Sequence, residues 1–159
     1  MATVIADTSP LQYLFQVGLI ELLRDLFETV HIPVAVRDEL QVGRSLGFDV
    51  PDPADHSWML VRATKRAPAL ARFDLGPGEH AALSLVLELG EGLVLLDDAA
   101  ARTAANELQL STTGTLGILL LAKERGLIVA VAPVLEKLER RGFRITNAVR
   151  SRVLQMAGE

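Results

Sequence analysis

Acidic side chains directly follow two short apolar segments of this chain. Asp7 comes after residues 3–6, and the pair Asp97 and Asp98 comes after residues 93–96. If both segments are parallel strands, these acids share one edge of a sheet, which is the edge where such sheets bind ligands. A lone Asp after a strand is often only a turn residue or a helix cap. Two acids at two strand ends therefore leave a structural and a chemical interpretation open.

Glu39 extends the acidic set from a predicted helix. Val36 and Leu40 are four residues apart and define the buried stripe of that helix. At 100° per residue, Glu39 lies on the flank of the buried face, whereas Asp38 points away from the core. We therefore expect Glu39 to lean over the sheet edge. An ordinary solvated helix carboxylate is the alternative.

Glu79 is the third residue of a helix predicted to begin at Pro77. An acid in the first helical turn is favoured by the helix dipole and supplies half of a capping box. Gly76 and Gly78 on either side of Pro77 allow close approach of the backbone. Glu79 is thus either a structural cap or a further member of the acidic set.

Several carboxylates at one edge repel each other strongly unless divalent cations neutralise them. Ligand sets made only of oxygen select Mg²⁺ or Mn²⁺ over zinc. Metals held in this way activate water and stabilise the leaving oxygen in phosphodiester cleavage. The chain has no cysteine, and Ser9 has no neighbouring histidine in the sequence. The residue types therefore indicate a metal-dependent site with water as the nucleophile.

The elements that must position these acids alternate along the chain. Short apolar strands followed by helical patterns predict an α/β fold, with a parallel sheet covered by helices on both faces. The interval 43–57 is polar and rich in proline, and it reads as a surface loop. We predict strands at 3–6, 29–32, 58–63, 93–96 and 111–113, and helices at 10–16, 19–27, from Pro33, 77–89, 99–108, 115–124, 133–141 and 147–156.

Length and composition narrow the class of protein. The chain has 159 residues, 50% of them hydrophobic, which predicts one folded domain over 1–159 and excludes a disordered chain. Its net charge of −4 is not that of a DNA-coating protein, and 4% aromatic residues are few for a protein that stacks RNA bases. With no basic leader and no apolar run of about 18 residues, we expect a cytoplasmic protein without a membrane segment.

The chain resembles the PIN-domain nucleases, and especially a small bacterial and archaeal subgroup of predicted nucleic-acid-binding proteins. The resemblance covers nearly the whole chain and implies a three-layer α/β/α sandwich around a short parallel sheet. In order, the matching segments are ADTSPLQYL, VHIPVAVRDEL, LGPGEHAALSLVLELG, LVLLDDAAAR and TTGTLGILLLAKERG, with GFRITNAVRSRVLQMAGE similar to the C-terminus of the subgroup.

The resemblance also implies roles for individual residues. Glu79 stands where many PIN domains carry Asp, and its extra methylene changes the spacing of any metal ligands. The implied catalytic residues are Asp7, Glu39, Glu79 and Asp97; the metal ligands are Asp7, Glu79 and Asp97, with Asp98 as the doublet partner; the supporting hydroxyls come from Thr8 or Ser9 and from Thr113.

The family implies Mg²⁺- or Mn²⁺-dependent cleavage of RNA. Many small members are toxins of type II toxin–antitoxin pairs, each held inactive by an antitoxin protein. A non-catalytic PIN-fold module that binds nucleic acid or protein is the second hypothesis. A phosphotransfer protein is a third, and we discount it because the motifs of such proteins are missing, including a GxxxxGK loop.

Arginines are the candidate RNA contacts. Arg37 and Arg102 lie near the predicted site, and Arg102 is placed either to pair with Asp98 or to reach a phosphate. The basic run at 137–144 is typical of a solvated face. Apolar residues at 11–23 exceed what one sheet face needs, which favours a homodimer; they are Leu11, Tyr13, Leu14, Phe15, Leu19, Leu22 and Leu23.

Overall fold

Five parallel strands form the central sheet in a computed structural model, which describes residues 3–159. The strands are β1 (Val4–Ala6), β2 (Val30–Pro33), β3 (Met59–Arg62), β4 (Leu93–Leu95) and β5 (Ser111–Thr113). Their order is β3-β2-β1-β4-β5, and every neighbouring pair is parallel. All five carboxyl ends therefore meet at one edge of the sheet.

Eight α-helices flank this sheet within residues 3–159. They are α1 (Thr8–Gln16), α2 (Glu21–Phe27), α3 (Val34–Ser45), α4 (Pro77–Leu89), α5 (Ala99–Glu107), α6 (Thr115–Glu124), α7 (Ala132–Arg140) and α8 (Asn147–Met156). Pro53–Asp55 and Pro68–Leu70 form short 3₁₀ turns. In the described part of the chain, no helix has the length and apolar character needed to cross a bilayer.

The core lies on both sides of the sheet, as the alternation of side chains along β1 shows. Val4 and Ala6 pack with α1, α2, α3, α6, α7 and α8, whereas Ile5 faces α4 and α5. All three side chains are buried. The predicted three-layer α/β/α sandwich is thereby confirmed, and it explains why the strands are apolar on both faces.

Three helices, α1, α3 and α6, begin within one or two residues of the preceding strand. The starts of α3 and α1 differ from the sequence prediction. Pro33 was expected to open a helix, but it is the last residue of β2, with an extended ψ of 148°. The restricted φ of Pro33 therefore fits the end of the strand β2, and not the first turn of the helix α3. Helix α1 starts at Thr8, before the predicted 10–16, and Pro10 is tolerated because the first-turn N–H groups have no helical partner.

The apolar residues that favoured a homodimer belong to the core of this chain. Leu11, Leu14, Leu22 and Leu23 are buried there. Tyr13, Phe15 and Leu19 are partly buried and pack against the same cluster, to which α6, α7 and α8 contribute. The prediction that these residues form apolar surface in excess of the core was wrong, because the C-terminal helices cover them.

The strand order reverses direction between β1 and β4. The chain moves outward from β1 to β2 and β3, and it later builds β4 and β5 on the other side of β1. The helices that follow β1 and β4 consequently leave the sheet edge in different directions. In open α/β sheets, ligands bind at such a switch point, outside the carboxyl ends of the strands.

Candidate acidic site at the carboxyl edge of the sheet

Asp7 lies at the switch point. It follows β1, its backbone N–H donates to the Leu95 carbonyl of β4 at 3.0 Å, and it is only 4% exposed. Its carboxylate makes no capping hydrogen bond to α1. The pKa of Asp7 is raised from 3.8 to about 7, mainly by burial and also by the negative charges of Glu79, Glu39 and Asp97, whereas the Thr8 N–H lowers it.

Glu39 is held by residues from two other elements. The Thr8 hydroxyl donates to Glu39 Oε2 at 2.5 Å, and the Gly78 N–H donates to Oε1 at 2.9 Å. The neighbouring Asp38 is exposed and pairs with Arg37 at 3.1 Å. The helical spacing therefore distinguished Glu39, which faces the site, from Asp38, which faces solvent. The hydroxyl group that donates to Glu39 belongs to Thr8 and not to Ser9.

Gly78 brings the backbone of α4 against two carboxylates. A Cβ at this position would lie 2.7 Å from Asp7 Oδ1 and 2.7 Å from Glu39 Oε2. These two oxygens are therefore no farther apart than about twice that distance. The backbone of Gly78 is not in the left-handed region, so its conformation does not require glycine. Glycine is required because it lacks a Cβ, which allows the close approach.

We expect Gly78→Ala to destabilise the protein by about 1–3 kcal/mol, because the added methyl group overlaps both carboxylates. In an ordinary helix position the same change stabilises by up to about 1 kcal/mol. Urea unfolding measures the difference. Gly43→Ala in α3 is the matched control, since its Cβ would meet only Val50, with Cγ2 at 3.2 Å. Equal stability of Gly78→Ala and wild type would contradict the close approach.

Glu79 combines the two roles that its sequence position suggested. It is half-buried in the first turn of α4, and its carboxylate folds back over the N-cap residue Gly76. Burial raises the pKa of Glu79, and the charges of Asp98 and Glu39 add to this effect, whereas the N–H groups of Glu79 and Gly76 lower it. The helix cap thus also faces the other acids.

Asp97 is held by a residue that sequence reasoning missed. The N–H and the hydroxyl of Thr115 donate to Asp97 Oδ1 and Oδ2, each at 2.7 Å. Thr115 is fully buried at the start of α6. Burial raises the pKa of Asp97 while Thr115 and Arg102 lower it. Gly114 and Thr115 directly follow β5. The position of a polar residue just after a strand, which indicated Asp7 and Asp97, therefore also indicates Thr115.

Asp98 and Thr113 lie beside this group. Asp98 Oδ2 accepts a hydrogen bond from the Ala101 N–H at 2.9 Å and so caps α5, which is the structural role that the sequence left open. Thr113 lines a cleft together with Asp97, and its hydroxyl packs against Gly117. Metal binding by Asp98 and a supporting role for Thr113 stay predictions.

Helix N-termini partly offset the charge of the acids. Asp7 precedes α1, Glu39 accepts from Gly78 of α4, Asp97 accepts from the first residue of α6, and Asp98 caps α5. Each helix N-terminus carries roughly half a positive charge. The offset is incomplete, since the charges of Glu79, Glu39 and Asp97 still add to the effect of burial in raising the pKa of Asp7.

The donor set fits a hard divalent cation in chemical type, since every candidate ligand is a carboxylate oxygen. Within residues 3–159, no three carboxylate or imidazole groups are spaced to hold one ion together. Mg²⁺ keeps several waters and commonly takes only one or two carboxylates from the protein. Asp7, which has Glu79 and Asp97 near enough to raise its pKa, meets that smaller requirement.

The two arginines proposed from the sequence differ in position. Arg37 is exposed and occupied by Asp38. Arg102 is exposed, and its charge lowers the pKa of Asp97. Among the described residues it forms no ion pair within 4.0 Å, so the alternative of a pair with Asp98 is not realised. Arg102 is therefore available to a ligand.

Comparison with known proteins identifies the family. The model of the PIN domain family matches residues 3–159. The chain belongs to the PIN domain family. A search of curated proteins found no match. PIN domains are generally nucleases that bind nucleic acids and typically use divalent metals, so this PIN domain has a nuclease-type fold.

Proposed function

We propose that this PIN domain acts as a single unit over residues 1–159 and is a Mg²⁺- or Mn²⁺-dependent ribonuclease for single-stranded RNA. One observation supports it most. Asp7 is buried at the switch point among Glu39, Glu79 and Asp97, and its pKa rises to about 7. A fold maintains such an unfavourable cluster of charge at a ligand-binding edge when the cluster has a chemical role.

Asp7 would bind the cation directly, and Glu79 and Asp97, with Asp98 beside them, would hold it through the waters that Mg²⁺ keeps, since no three carboxylates within residues 3–159 are spaced to hold one ion together. When bound, the cation supplies Lewis acidity, which makes water a better nucleophile and stabilises the leaving oxygen. Glu39 orients the attacking water and accepts its proton, since Thr8 and Gly78 fix its carboxylate. Thr115 fixes Asp97 in the same way. Thr113 lines the cleft beside Asp97, and we infer that it is a supporting residue of the site.

The alternative nucleophile among the described residues is not accessible. Ser84 Oγ lies 3.1 Å from His80 Nδ1, a pairing that resembles an activated serine. Ser84 is only 1% exposed, however, and its oxygen also accepts from the Ala67 N–H at 3.1 Å. This pair anchors the segment before α4, which leaves water as the nucleophile.

A non-catalytic binding module is the second candidate function. It is favoured by the lack of a three-ligand cluster within residues 3–159 and by the capping roles of Asp97 and Asp98. The binding module would bind nucleic acid or protein, whereas the ribonuclease would bind RNA and cleave it. They differ in metal-dependent turnover.

On the family resemblance, we further propose that the protein is a cytoplasmic toxin of a type II toxin–antitoxin pair, that it forms a homodimer, and that an antitoxin protein is its partner. Val42, Leu46 and Phe48, at the end of α3 and just beyond it, are 58%, 71% and 59% exposed. Large exposed apolar side chains in one region favour contact with another protein. A short reading frame immediately beside the gene would support the toxin role.

Purified wild-type protein is expected to cleave single-stranded RNA with Mn²⁺ or Mg²⁺ and not in EDTA. Glu39→Gln should lose most of this activity, and Glu136→Gln, the same change at an exposed position on α7, should keep it. Equal cleavage by Glu39→Gln would reveal a contaminating nuclease and overturn the assignment. Failure of the wild type on several RNAs with both metals would favour the binding module.

A further inference from the structure

A cleft of about 370 Å³ opens beside Asp97 at the β5 end of the carboxyl edge. We call it the β5 cleft, and it is lined by Asp97, Arg102, Thr113, Phe143 and Arg144. Arg102 and Arg144 are both exposed. Within residues 3–159, neither forms an ion pair within 4.0 Å. Two unoccupied guanidinium groups therefore flank one end of the acidic site.

The β5 cleft has the chemistry of a nucleotide subsite. Guanidinium groups bind phosphate oxygens through two parallel hydrogen bonds. Leu116, Phe143 and Ile145 line the same cleft with apolar surface, against which a sugar and a base can pack. Arg144 comes from the basic run that the sequence suggested to be merely solvated, and the fold brings it to the site.

A second cleft, of about 300 Å³, lies at the opposite side of the acids. We call it the β3 cleft; Thr64, Lys65 and Arg66, which follow β3, line it together with Asp38. Lys65 and Arg66 are exposed and, among the described residues, make no ion pair within 4.0 Å. The charge of Asp38 is offset by Arg37 at 3.1 Å. This cleft is therefore basic as well.

The strand order places the two clefts at opposite ends of one line. β3 and β5 are the two edge strands, and the strands that precede Asp7 and Asp97 lie between them. With strands about 4.8 Å apart, the ends of the edge strands are separated by about 19 Å across the sheet. Positive charge thus borders the acids on both sides.

We propose that a single strand of nucleic acid lies along this edge, with phosphates bound in the β3 and β5 clefts and the scissile phosphate over the acids between them. The inference rests on the proposed function. The electrostatics require flanking contacts, because a chain of net charge −4 with an acidic centre repels a polyanion elsewhere. Arg102 and Arg144 bind one side of the strand, and Lys65 and Arg66 bind the other.

The test measures binding of a fluorescently labelled single-stranded RNA by anisotropy in EDTA, over a range of KCl concentrations. Arg102→Gln, Arg144→Gln and the double change Lys65→Gln with Arg66→Gln should each weaken binding about tenfold. The slope of log affinity against log salt should flatten by about 0.7 for each phosphate that the variant no longer binds. Arg152→Gln is the matched control, because Arg152 is exposed on α8 and lines neither cleft.

Binding in EDTA separates this proposal from the proposed function. If the cleft variants weaken binding and no RNA is cleaved, the path stands and the ribonuclease assignment fails. If RNA is cleaved but the variants bind as the wild type does, the path is overturned. It is also overturned if only one cleft matters, if Arg152→Gln has an equal effect, if the wild type does not bind, or if inorganic phosphate competes as strongly as RNA.

Discussion

Asp7→Asn is expected to stabilise the protein at pH 8 when divalent cations are absent. The folded state raises the pKa of Asp7 from 3.8 to about 7, so folding favours the protonated carboxyl group. The stability linked to this proton is complete below pH 3.8 and is lost as the pH rises through about 7. The loss is on the order of 4 kcal/mol. Asparagine is neutral at every pH, so the Asp7→Asn variant does not undergo this loss of stability.

Urea unfolding in EDTA at pH 5 and pH 8 measures this effect. The advantage of Asp7→Asn should be large at pH 8 and less than half as large at pH 5, where the folded protein keeps the proton of Asp7. Asp74→Asn, an exposed change of the same type, should show no such dependence on pH. If Asp7→Asn is less stable than the wild type at both values, Asp7 is a structural residue rather than a strained one.

Divalent cations should reduce the stability advantage of Asp7→Asn over the wild type. Binding to the folded state alone stabilises by RT ln(1 + [L]/Kd), which is about 2.7 kcal/mol at a concentration of 100 Kd. Millimolar Mg²⁺ or Mn²⁺ should therefore raise the Tm of the wild type, and Asp7→Asn should lose most of this gain. An unchanged wild-type Tm would count against a metal site.

Asp97→Asn is expected to lower kcat for RNA cleavage by at least about 100-fold, since even residues that only orient a metal ligand contribute 10–100-fold. RNA affinity should change little, because phosphate contacts come mostly from arginine and lysine. Single-turnover cleavage and RNA binding in EDTA separate the two quantities. Equal kcat for Asp97→Asn and the wild type would remove Asp97 from the site.

Thr115 tests whether the position of Asp97 matters. Thr115→Val removes the hydroxyl that donates to Asp97 at 2.7 Å, and we expect a loss of roughly 10–100-fold in kcat. Thr115→Ser keeps the donor and should retain most of the activity. If both variants lose activity equally, Thr115 acts through packing in the core rather than through Asp97.

The elements themselves could be predicted from the sequence because their signals are local. Pro77 begins α4, and Gly90 ends it with a φ of 79°, as the residue types predicted. The apolar segments before Asp7 and Asp97 are strands, and Glu39 rather than Asp38 faces the site. Periodicity and helix signals depend on neighbours a few residues away, so no tertiary information was needed.

The assembly of the site was decided only by the tertiary structure. Glu39 and Gly78 are 39 residues apart, and Asp97 and Thr115 are 18 apart, yet each pair shares a hydrogen bond. No local pattern encodes which strands become neighbours, and the order β3-β2-β1-β4-β5 alone sets Asp7 beside Asp97 and puts the basic clefts at the two ends. The sequence determined which residues stand at strand ends, whereas the packing of strands and helices determined which of those ends meet.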